Sequence, residues 1–126
     1  HHPTEVRAAL DAIKEKFPDQ RLVVYFQPHR YSRTQDCWQD FTTCFKLADV
    51  LFLTDIYPAG EAPREGITSQ KLLVDIKNSQ KHYLPSNETR SVKILETLKA
   101  GDVFLTLGAG DGWKLGMEIL KLLKGC

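Results

Sequence analysis

Apolar residues recur along the chain in two alternating patterns, one typical of helices and one of buried strands. Between residues 3 and 17 they follow the helical spacing i, i+3, i+4, i+7, for example at Val6, Leu10 and Ile13. The run LVVYF at 22–26 is continuous and rich in β-branched and aromatic residues, which is typical of a strand buried on both faces. The chain is therefore predicted to begin with a helix and a buried strand.

The same alternation continues towards the C-terminus. Ser32 is predicted to cap a second helix that ends near Asp49, and DVLFLT at 49–54 is the second buried strand. The later predicted elements are a helix at about 68–77, a short strand KHYLP, a helix at about 87–99, a strand DVFLTL and a closing helix LGMEILKLLK with Leu115, Ile119, Leu122 and Leu123 facing inward.

Alternation of helices and strands on this scale requires right-handed crossovers and a sheet covered on both faces. The predicted fold class is α/β, a Rossmann-like three-layer sandwich with a mainly parallel sheet and helices on both faces. An additional antiparallel edge strand stays open as an alternative. Residues 1–126 contain no interior linker or repeat, so a single domain is expected.

The overall charge narrows the partners that this domain can bind. Seventeen Lys and Arg against sixteen Asp and Glu give a net charge of +1, so no global field favours nucleic acid or an anionic membrane surface. The apolar runs fall well short of the roughly 20 residues that span a bilayer, and no secretory signal opens the chain. We expect a cytoplasmic protein without nucleic-acid or membrane partners, in which any anion recognition is local.

The three cysteines, Cys37, Cys44 and Cys126, do not form a recognisable metal or disulfide motif. No CxxC pair is present, and no histidine lies at metal-ligand spacing from them. Cys37 and Cys44 are predicted to be packed thiols, and Cys126 to be an exposed terminal one. No metal site is predicted.

Three unusual loops follow predicted strands, where crossover helices direct their N-termini towards one crevice. They are QPHRYSRT, DIYPAGEAP and GAGDG. In the first, Arg30 and Arg33 can bring two planar guanidinium groups to one point before a helix, a geometry that suits a carboxylate or phosphate. His29 can donate a further hydrogen bond or take part in proton transfer.

A purely structural interpretation of these loops stays open. Arg33 can pair with Asp36, Arg30 can be solvated, and His29 can bond a backbone carbonyl. The second loop can be an ordinary turn, and GAGDG lacks the full GxGxxG spacing. The chain contains no GxxxxGK[ST], GxSxG or HExxH motif, so anion donors are present without the residues for nucleotide hydrolysis.

The motifs HHPTEV, FQPHRYSRT, DIYPAGEAP and LGAGD together resemble the C-terminal domain of the Mur ligase family, specifically the ligases that add L-alanine to UDP-N-acetylmuramate in peptidoglycan biosynthesis. The resemblance implies that residues 1–126 are the amino-acid-docking domain of a three-domain enzyme. The N-terminal and central domains would bind the UDP-sugar, ATP and Mg2+. The carboxylate would be activated as an acyl phosphate, and L-alanine would attack it. The fragment alone is expected to be inactive.

The resemblance also assigns residues to roles. Arg30 and Arg33 match the arginines that hold the alanine carboxylate, and His29 matches the adjacent histidine. The residues that it places at the cleft for nucleotide and substrate are His1, His2, Tyr57 and Glu61. It assigns neither a catalytic residue nor a metal ligand to this part of the enzyme.

Two alternatives accompany this assignment. One is the related recycling ligase that attaches a preformed tripeptide instead of alanine, and the other is a non-catalytic Rossmann-like binding module. One departure concerns the last motif, because Gly112 and Trp113 follow GAGD where the family commonly has Ile-Gly. Because of this difference, we do not assign phosphate binding to the GAGDG loop.

Overall fold

Four parallel strands form the centre of the structure, a computed structural model that describes residues 2–87, 89–108 and 112–124. The strands are β1 (Leu22–Gln27), β2 (Val50–Leu53), β3 (Lys81–Tyr83) and β4 (Val103–Gly108). The helices are α1 (Pro3–Lys16), α2 (Tyr31–Asp36), α3 (Trp38–Phe41), α4 (Ser69–Asp75), α5 (Arg90–Thr97) and α6 (Gly112–Lys124).

The strands lie in the order β3-β2-β1-β4, and every neighbouring pair is parallel. All residues of β1 and β2 are buried, which explains their uninterrupted apolar sequences. The chain moves from β1 outward to β3 and then crosses to the other side of β1 to form β4. This reversal creates a switch point between β1 and β4, where open parallel sheets bind ligands.

Helices cover both faces of the sheet. Val24 and Phe26 of β1 face a core that includes Val6 and Leu10 of α1, Phe41 of α3, and the buried side of α4. On the opposite face, a second core contains Val23 and Tyr25 of β1 with Ile94 of α5 and with Leu115 and Ile119 of α6. The predicted three-layer α/β fold is confirmed, and the described sheet has no antiparallel edge strand.

The N-terminus of α1 is capped by its own sequence. The Nδ1 atom of His2 accepts a hydrogen bond of 3.1 Å from the Thr4 amide, and the Glu5 carboxylate accepts one of 3.3 Å from the His2 amide. Pro3 occupies the first helical position, where its missing N–H costs nothing. This reciprocal arrangement is a capping box, with histidine in the place of the usual serine or threonine.

An ion pair joins the amino-terminal ends of β1 and β4. Arg21 Nη2 lies 2.6 Å from Asp102 Oδ2 and donates a further 2.7 Å hydrogen bond to the Thr97 carbonyl. The Arg21 guanidinium lowers the pKa of Asp102, and the Lys99 amide adds to this effect. The pair anchors β1 to the edge strand β4 at the end opposite the carboxyl-terminal loops.

The predicted length of the second helix is wrong. Instead of one helix from Ser32 to Asp49, the chain forms the short helices α2 and α3, followed by turns at 42–47. Thr42 explains part of the difference, because its hydroxyl donates to the Gln39 carbonyl at 2.6 Å and its own carbonyl accepts from the Lys77 amide. The apolar side chains predicted for that helix are nevertheless packed against the core, at Cys37, Phe41, Cys44, Phe45 and Ala48.

The packed-thiol prediction is confirmed for the two cysteines that the structure describes. Cys44 is buried, and burial raises the pKa of its thiol to about 12. Cys37 is partly buried, and burial again raises its pKa. Cys126 lies outside the described residues.

Two helix boundaries and one side-chain orientation also differ from their predictions. Helix α4 ends at Asp75 instead of 77, and the helix predicted from 87 begins at Arg90 because the Asn87 side chain accepts hydrogen bonds from Thr89 in a preceding turn. In α6, Leu115 and Ile119 are buried as predicted, but Leu123 is 52% exposed and faces outward. The side chain of residue 122 lies outside the described part.

Gly108 gives a test of how closely β4 approaches β1. It has φ +108°, and an added Cβ would lie 2.1 Å from the Gln27 carbonyl oxygen, whereas Gly101 has φ +87° with open space around it. Gly101→Ala should cost about 1–2 kcal/mol of unfolding free energy through its backbone alone. Gly108→Ala should cost about 1–3 kcal/mol more, because the backbone must shift. Urea denaturation of both variants measures the difference, and equal losses would contradict the close approach.

Candidate functional site

Five of the predicted site residues, His29, Arg30, Arg33, Tyr57 and Glu61, lie near the carboxyl end of β1 and the loop that follows β2. After Gln27 the chain passes through buried Pro28 to half-buried His29 and exposed Arg30, and then enters α2. The Gln27 side-chain amide donates to the Asp55 carbonyl at 3.2 Å and so links β1 to the loop. The site therefore begins beside the switch point of the sheet.

Tyr57 holds the second loop against the first. Its amide donates to the Pro28 carbonyl at 2.9 Å, and its carbonyl accepts from the Arg30 amide at 2.8 Å. The His29 and Tyr57 rings are stacked with centroids 5.8 Å apart and an interplanar angle of 17°. These contacts continue the parallel pairing of β1 and β2 beyond the strands themselves.

Arg30 has an unusual backbone conformation for a residue with a side chain. Its φ is 69°, in a region that favours glycine and costs other residues about 1–2 kcal/mol. The Arg30 carbonyl accepts from the Thr34 hydroxyl at 2.7 Å and from the Thr34 amide at 3.2 Å, and Thr34 is fully buried. Strain of this kind persists only where surrounding contacts impose it, and functional sites are a common location.

Glu61 supplies an anion at the start of α2. Its carboxylate accepts from the Ser32 amide at 3.0 Å and from the Ser32 hydroxyl, and the Tyr31 amide also bonds it. These hydrogen bonds, with that of the Ser32 hydroxyl first, lower the pKa of Glu61. The prediction that Ser32 caps this helix is wrong, because Arg30 is the N-cap residue and Ser32 lies in the first turn.

Arg30 and Arg33 stand on either side of this contact. Arg30 is exposed and Arg33 half-buried, and within the described residues neither forms an ion pair with a carboxylate. The alternative in which Arg33 pairs with Asp36 is therefore not what the structure contains. Two guanidinium groups with open donor positions are available to an external anion.

His29 lies in the field of both arginines. Partial burial lowers the pKa of its imidazole, the positive charges of Arg30 and Arg33 lower it further, and the Glu61 carboxylate opposes them. The ring is therefore neutral at pH 7. A neutral imidazole can donate or accept a proton, as the sequence analysis left open.

A polar cluster that the sequence analysis missed lies at the ends of β2 and β3. The Tyr83 hydroxyl donates a hydrogen bond to the Asp55 carboxylate, which also accepts a long contact from the Ser86 amide. Burial, followed by the hydrogen bond to Asp55 and the Asp55 charge, raises the pKa of Tyr83 to about 12. No sequence signal links the two residues, because they are 28 positions apart.

The other predicted site residues are placed differently. His2 caps α1 with its ring, so its Nδ1 atom already has a structural partner. His1 and residues 109–111 of GAGDG lie outside the described residues. The structure thus brings together His29, Arg30, Arg33, Tyr57 and Glu61.

Two other features, a metal-binding cluster and a membrane-spanning helix, are absent from the described part of the chain. No group of three or more His, Cys, Asp or Glu there is arranged to hold a metal ion. None of its helices has the length and apolar character needed to cross a bilayer.

The family described as "Mur ligase, glutamate ligase domain" matches residues 1–110 of the chain. The chain belongs to the Mur ligase family. This confirms the resemblance carried by the four motifs.

Curated relatives make the similarity more specific. The chain is 63% identical over 123 residues to the UDP-N-acetylmuramate–L-alanine ligase of Bdellovibrio bacteriovorus, covering 98% of the chain and 27% of that protein. It is 49% identical over 126 residues to the protein of the same name from Desulfotalea psychrophila, covering 98% of the chain and 28% of that ligase. The chain thus spans little more than a quarter of the length of the relatives it matches.

Solved structures agree at the level of the fold. The UDP-N-acetylmuramate-alanine ligase of Thermotoga maritima superposes with a TM-score of 0.66 at 23% identity, over 99% of this chain and 25% of that one. A murein peptide ligase of Psychrobacter arcticus superposes with a TM-score of 0.63 at 22% identity, over 96% of this chain and 25% of that one. At this identity the similarity shows a shared fold.

The position of His29 between charges predicts its titration. We expect a pKa below the ordinary value of about 6.5, because burial and two arginines disfavour the imidazolium. Arg33→Gln should raise this pKa by removing a positive charge, and Glu61→Gln should lower it by removing a negative one. NMR titration of the ring protons measures both changes, with Glu65→Gln as the control that leaves the pKa unaltered. Shifts of the opposite sign would contradict this arrangement.

Proposed function

We propose that this chain is the amino-acid-docking, C-terminal domain of an ATP-dependent UDP-N-acetylmuramate–L-alanine ligase, an enzyme of peptidoglycan biosynthesis. Relatives of that name, 43–63% identical over almost the whole chain, support the proposal. The N-terminal and central Mur ligase domains, which bind the UDP-sugar and ATP, would be supplied by the rest of the enzyme.

The observation that carries the proposal is the pair of available guanidinium groups at the carboxyl end of β1. Arg30 and Arg33 have no carboxylate partner among the described residues, and the backbone that carries them is tethered to the neighbouring loop. Each planar guanidinium presents paired N–H donors at a spacing that matches the two oxygens of a carboxylate. The α-carboxylate of L-alanine is the ligand that we assign to them.

Glu61 limits how this carboxylate can bind. Because the Glu61 carboxylate already accepts from the amides of the first turn of α2, the substrate would meet the arginine side chains instead of the helix end. The sequence predicted an anion bound by both arginines and by the helix N-terminus. With Glu61 at the helix N-terminus, we assign the substrate carboxylate to the two guanidinium groups alone.

In the proposed reaction, the muramoyl carboxylate takes the γ-phosphoryl group of ATP and releases ADP. The alanine amino group then attacks the acyl phosphate to form the amide and release phosphate. The chain has no GxxxxGK[ST] loop, and its described residues contain no metal-binding cluster, so ATP and Mg2+ are assigned to the central domain. The part of this domain is to hold alanine by its carboxylate, which leaves the amino group directed outward. By the family resemblance, His1, His2 and Tyr57 are assigned to the cleft that faces the other domains.

His29 is suited to a further task in this reaction. An amino group attacks only after its ammonium form has lost a proton, and the lowered pKa keeps the imidazole neutral and able to accept one. The same ring can instead donate a hydrogen bond to the bound carboxylate, as the sequence analysis left open.

Replacement of the two arginines tests the proposal in the complete ligase. Arg30→Ala and Arg33→Ala should each raise the KM for L-alanine by about 10–100-fold, since a hydrogen bond to a charged group contributes about 1.5–3 kcal/mol. The KM values for ATP and the UDP-sugar should change by less than about threefold, because these ligands bind to the other domains. Steady-state kinetics with each substrate varied in turn measures the effects.

Arg7→Ala is the matched control, because Arg7 is an exposed arginine whose guanidinium contacts Thr43 on another part of the surface. It should leave every KM unchanged. Arg30→Lys and Arg33→Lys should recover little of the lost affinity, since an ammonium lacks the paired donors. Unaltered alanine kinetics in both alanine variants would overturn the assignment of the substrate.

A further inference from the structure

The loop after β2 is fastened at three successive points, first to the backbone just before α2 and then twice to α2 itself. Tyr57 is bonded to the backbone on both sides of His29, the Glu61 carboxylate bonds Ser32, and Arg64 Nη1 donates to the Gln35 side chain at 2.8 Å. Residues 57–64 are largely exposed, yet these contacts tie them to residues 28–35. The central contact is formed by Glu61 and Ser32, and Ser32 lies between the two arginines in sequence.

The turn that presents Glu61 is itself unusual. The Glu61 amide donates to the Pro58 carbonyl at 3.0 Å, and both residues inside this turn have positive φ, 50° at Ala59 and 87° at Gly60. Ala59 adopts this conformation against its intrinsic preference, so a contact elsewhere must stabilise it. The bonds of Tyr57 to Pro28 and Arg30 precede this turn, and the contact between Glu61 and Ser32 follows it.

Strained backbone is found on both partners of the contact. Arg30, two residues before Ser32, has φ 69° and is held by Tyr57 on one side and by Thr34 on the other. If the loop separated from α2, Arg30 would lose the constraint of Tyr57 and could relax to an ordinary negative φ. Its guanidinium would then move relative to that of Arg33.

We propose that Glu61 is a positioning residue for amino-acid binding, which fastens the 57–64 loop to Ser32 and thereby holds Arg30 and Arg33 in the orientation that grips the substrate carboxylate. This inference rests on the proposed function and deepens it. Glu61 acts through geometry and does not touch the substrate in this account. A role through its charge, as an acceptor for the substrate ammonium, is the alternative that the experiment separates.

The test compares Glu61→Ala with Glu61→Gln in the complete ligase. The amide of Gln can accept from the Ser32 amide and donate to the Ser32 hydroxyl, so it keeps the geometry without the charge. We expect Glu61→Ala to raise the KM for L-alanine about tenfold or more with kcat nearly unchanged, and Glu61→Gln to stay within about threefold of the parent enzyme. The KM values for ATP and the UDP-sugar should not change.

A double-mutant cycle with Ser32→Ala adds a second readout. The double variant should raise the alanine KM by a smaller factor than the product of the factors for Glu61→Ala and Ser32→Ala alone, because the two side chains form one contact. Glu65→Ala removes an exposed carboxylate just beyond the 57–64 loop and is the control that should leave the kinetics unchanged.

Each contrary result has a distinct meaning. If Glu61→Gln is as impaired as Glu61→Ala, the charge matters and the geometric role is overturned. If Glu61→Ala lowers the melting temperature and the active fraction without changing the alanine KM, Glu61 only stabilises the fold. If Arg30→Ala and Arg33→Ala also leave the alanine KM unchanged, the proposed function fails, whereas an effect of the arginines alone removes only the inference about Glu61.

Discussion

Two backbone hydrogen bonds of Tyr57 determine how the candidate site is built. Pro28 has no N–H and cannot continue the donor side of the β1 ladder, yet its carbonyl accepts from Tyr57 while the Tyr57 carbonyl accepts from Arg30. The pairing of β1 with β2 is thereby resumed after a gap. Because of this pairing, a loop rich in proline and glycine lies against a short helix, and the side chains of both belong to one surface.

The charges of the site follow from the same arrangement. A carboxylate from one loop satisfies the helix that starts in the other, so the positive charges nearby have no carboxylate partner among the described residues. His29 is influenced by both signs, and the two arginines outweigh Glu61 in setting its pKa. A surface with almost no net charge over the whole chain thus holds a local, oriented excess of hydrogen-bond donors.

The strands and the fold class could be predicted from the sequence because their signals are local. In a run such as LVVYF, consecutive apolar residues indicate a strand that is buried on both faces. Alternation of such strands with helices implies a parallel sheet. The contacts of Glu61 with Ser32 and of Asp55 with Tyr83 join residues 28 or 29 positions apart, and no spacing rule predicts them. The predicted helix after Ser32 is too long because the buried positions keep a helical spacing up to Ala48. The helix itself is interrupted at Thr42, and turns carry the later buried residues.

Gly108 illustrates what the close approach of β4 to β1 means for the gene. Any Cβ at this position would meet the Gln27 carbonyl, whichever side chain follows it. Every amino acid that a single nucleotide change can make from a glycine codon carries a Cβ. Each single-nucleotide change that replaces this glycine therefore carries the same backbone cost, whichever amino acid results.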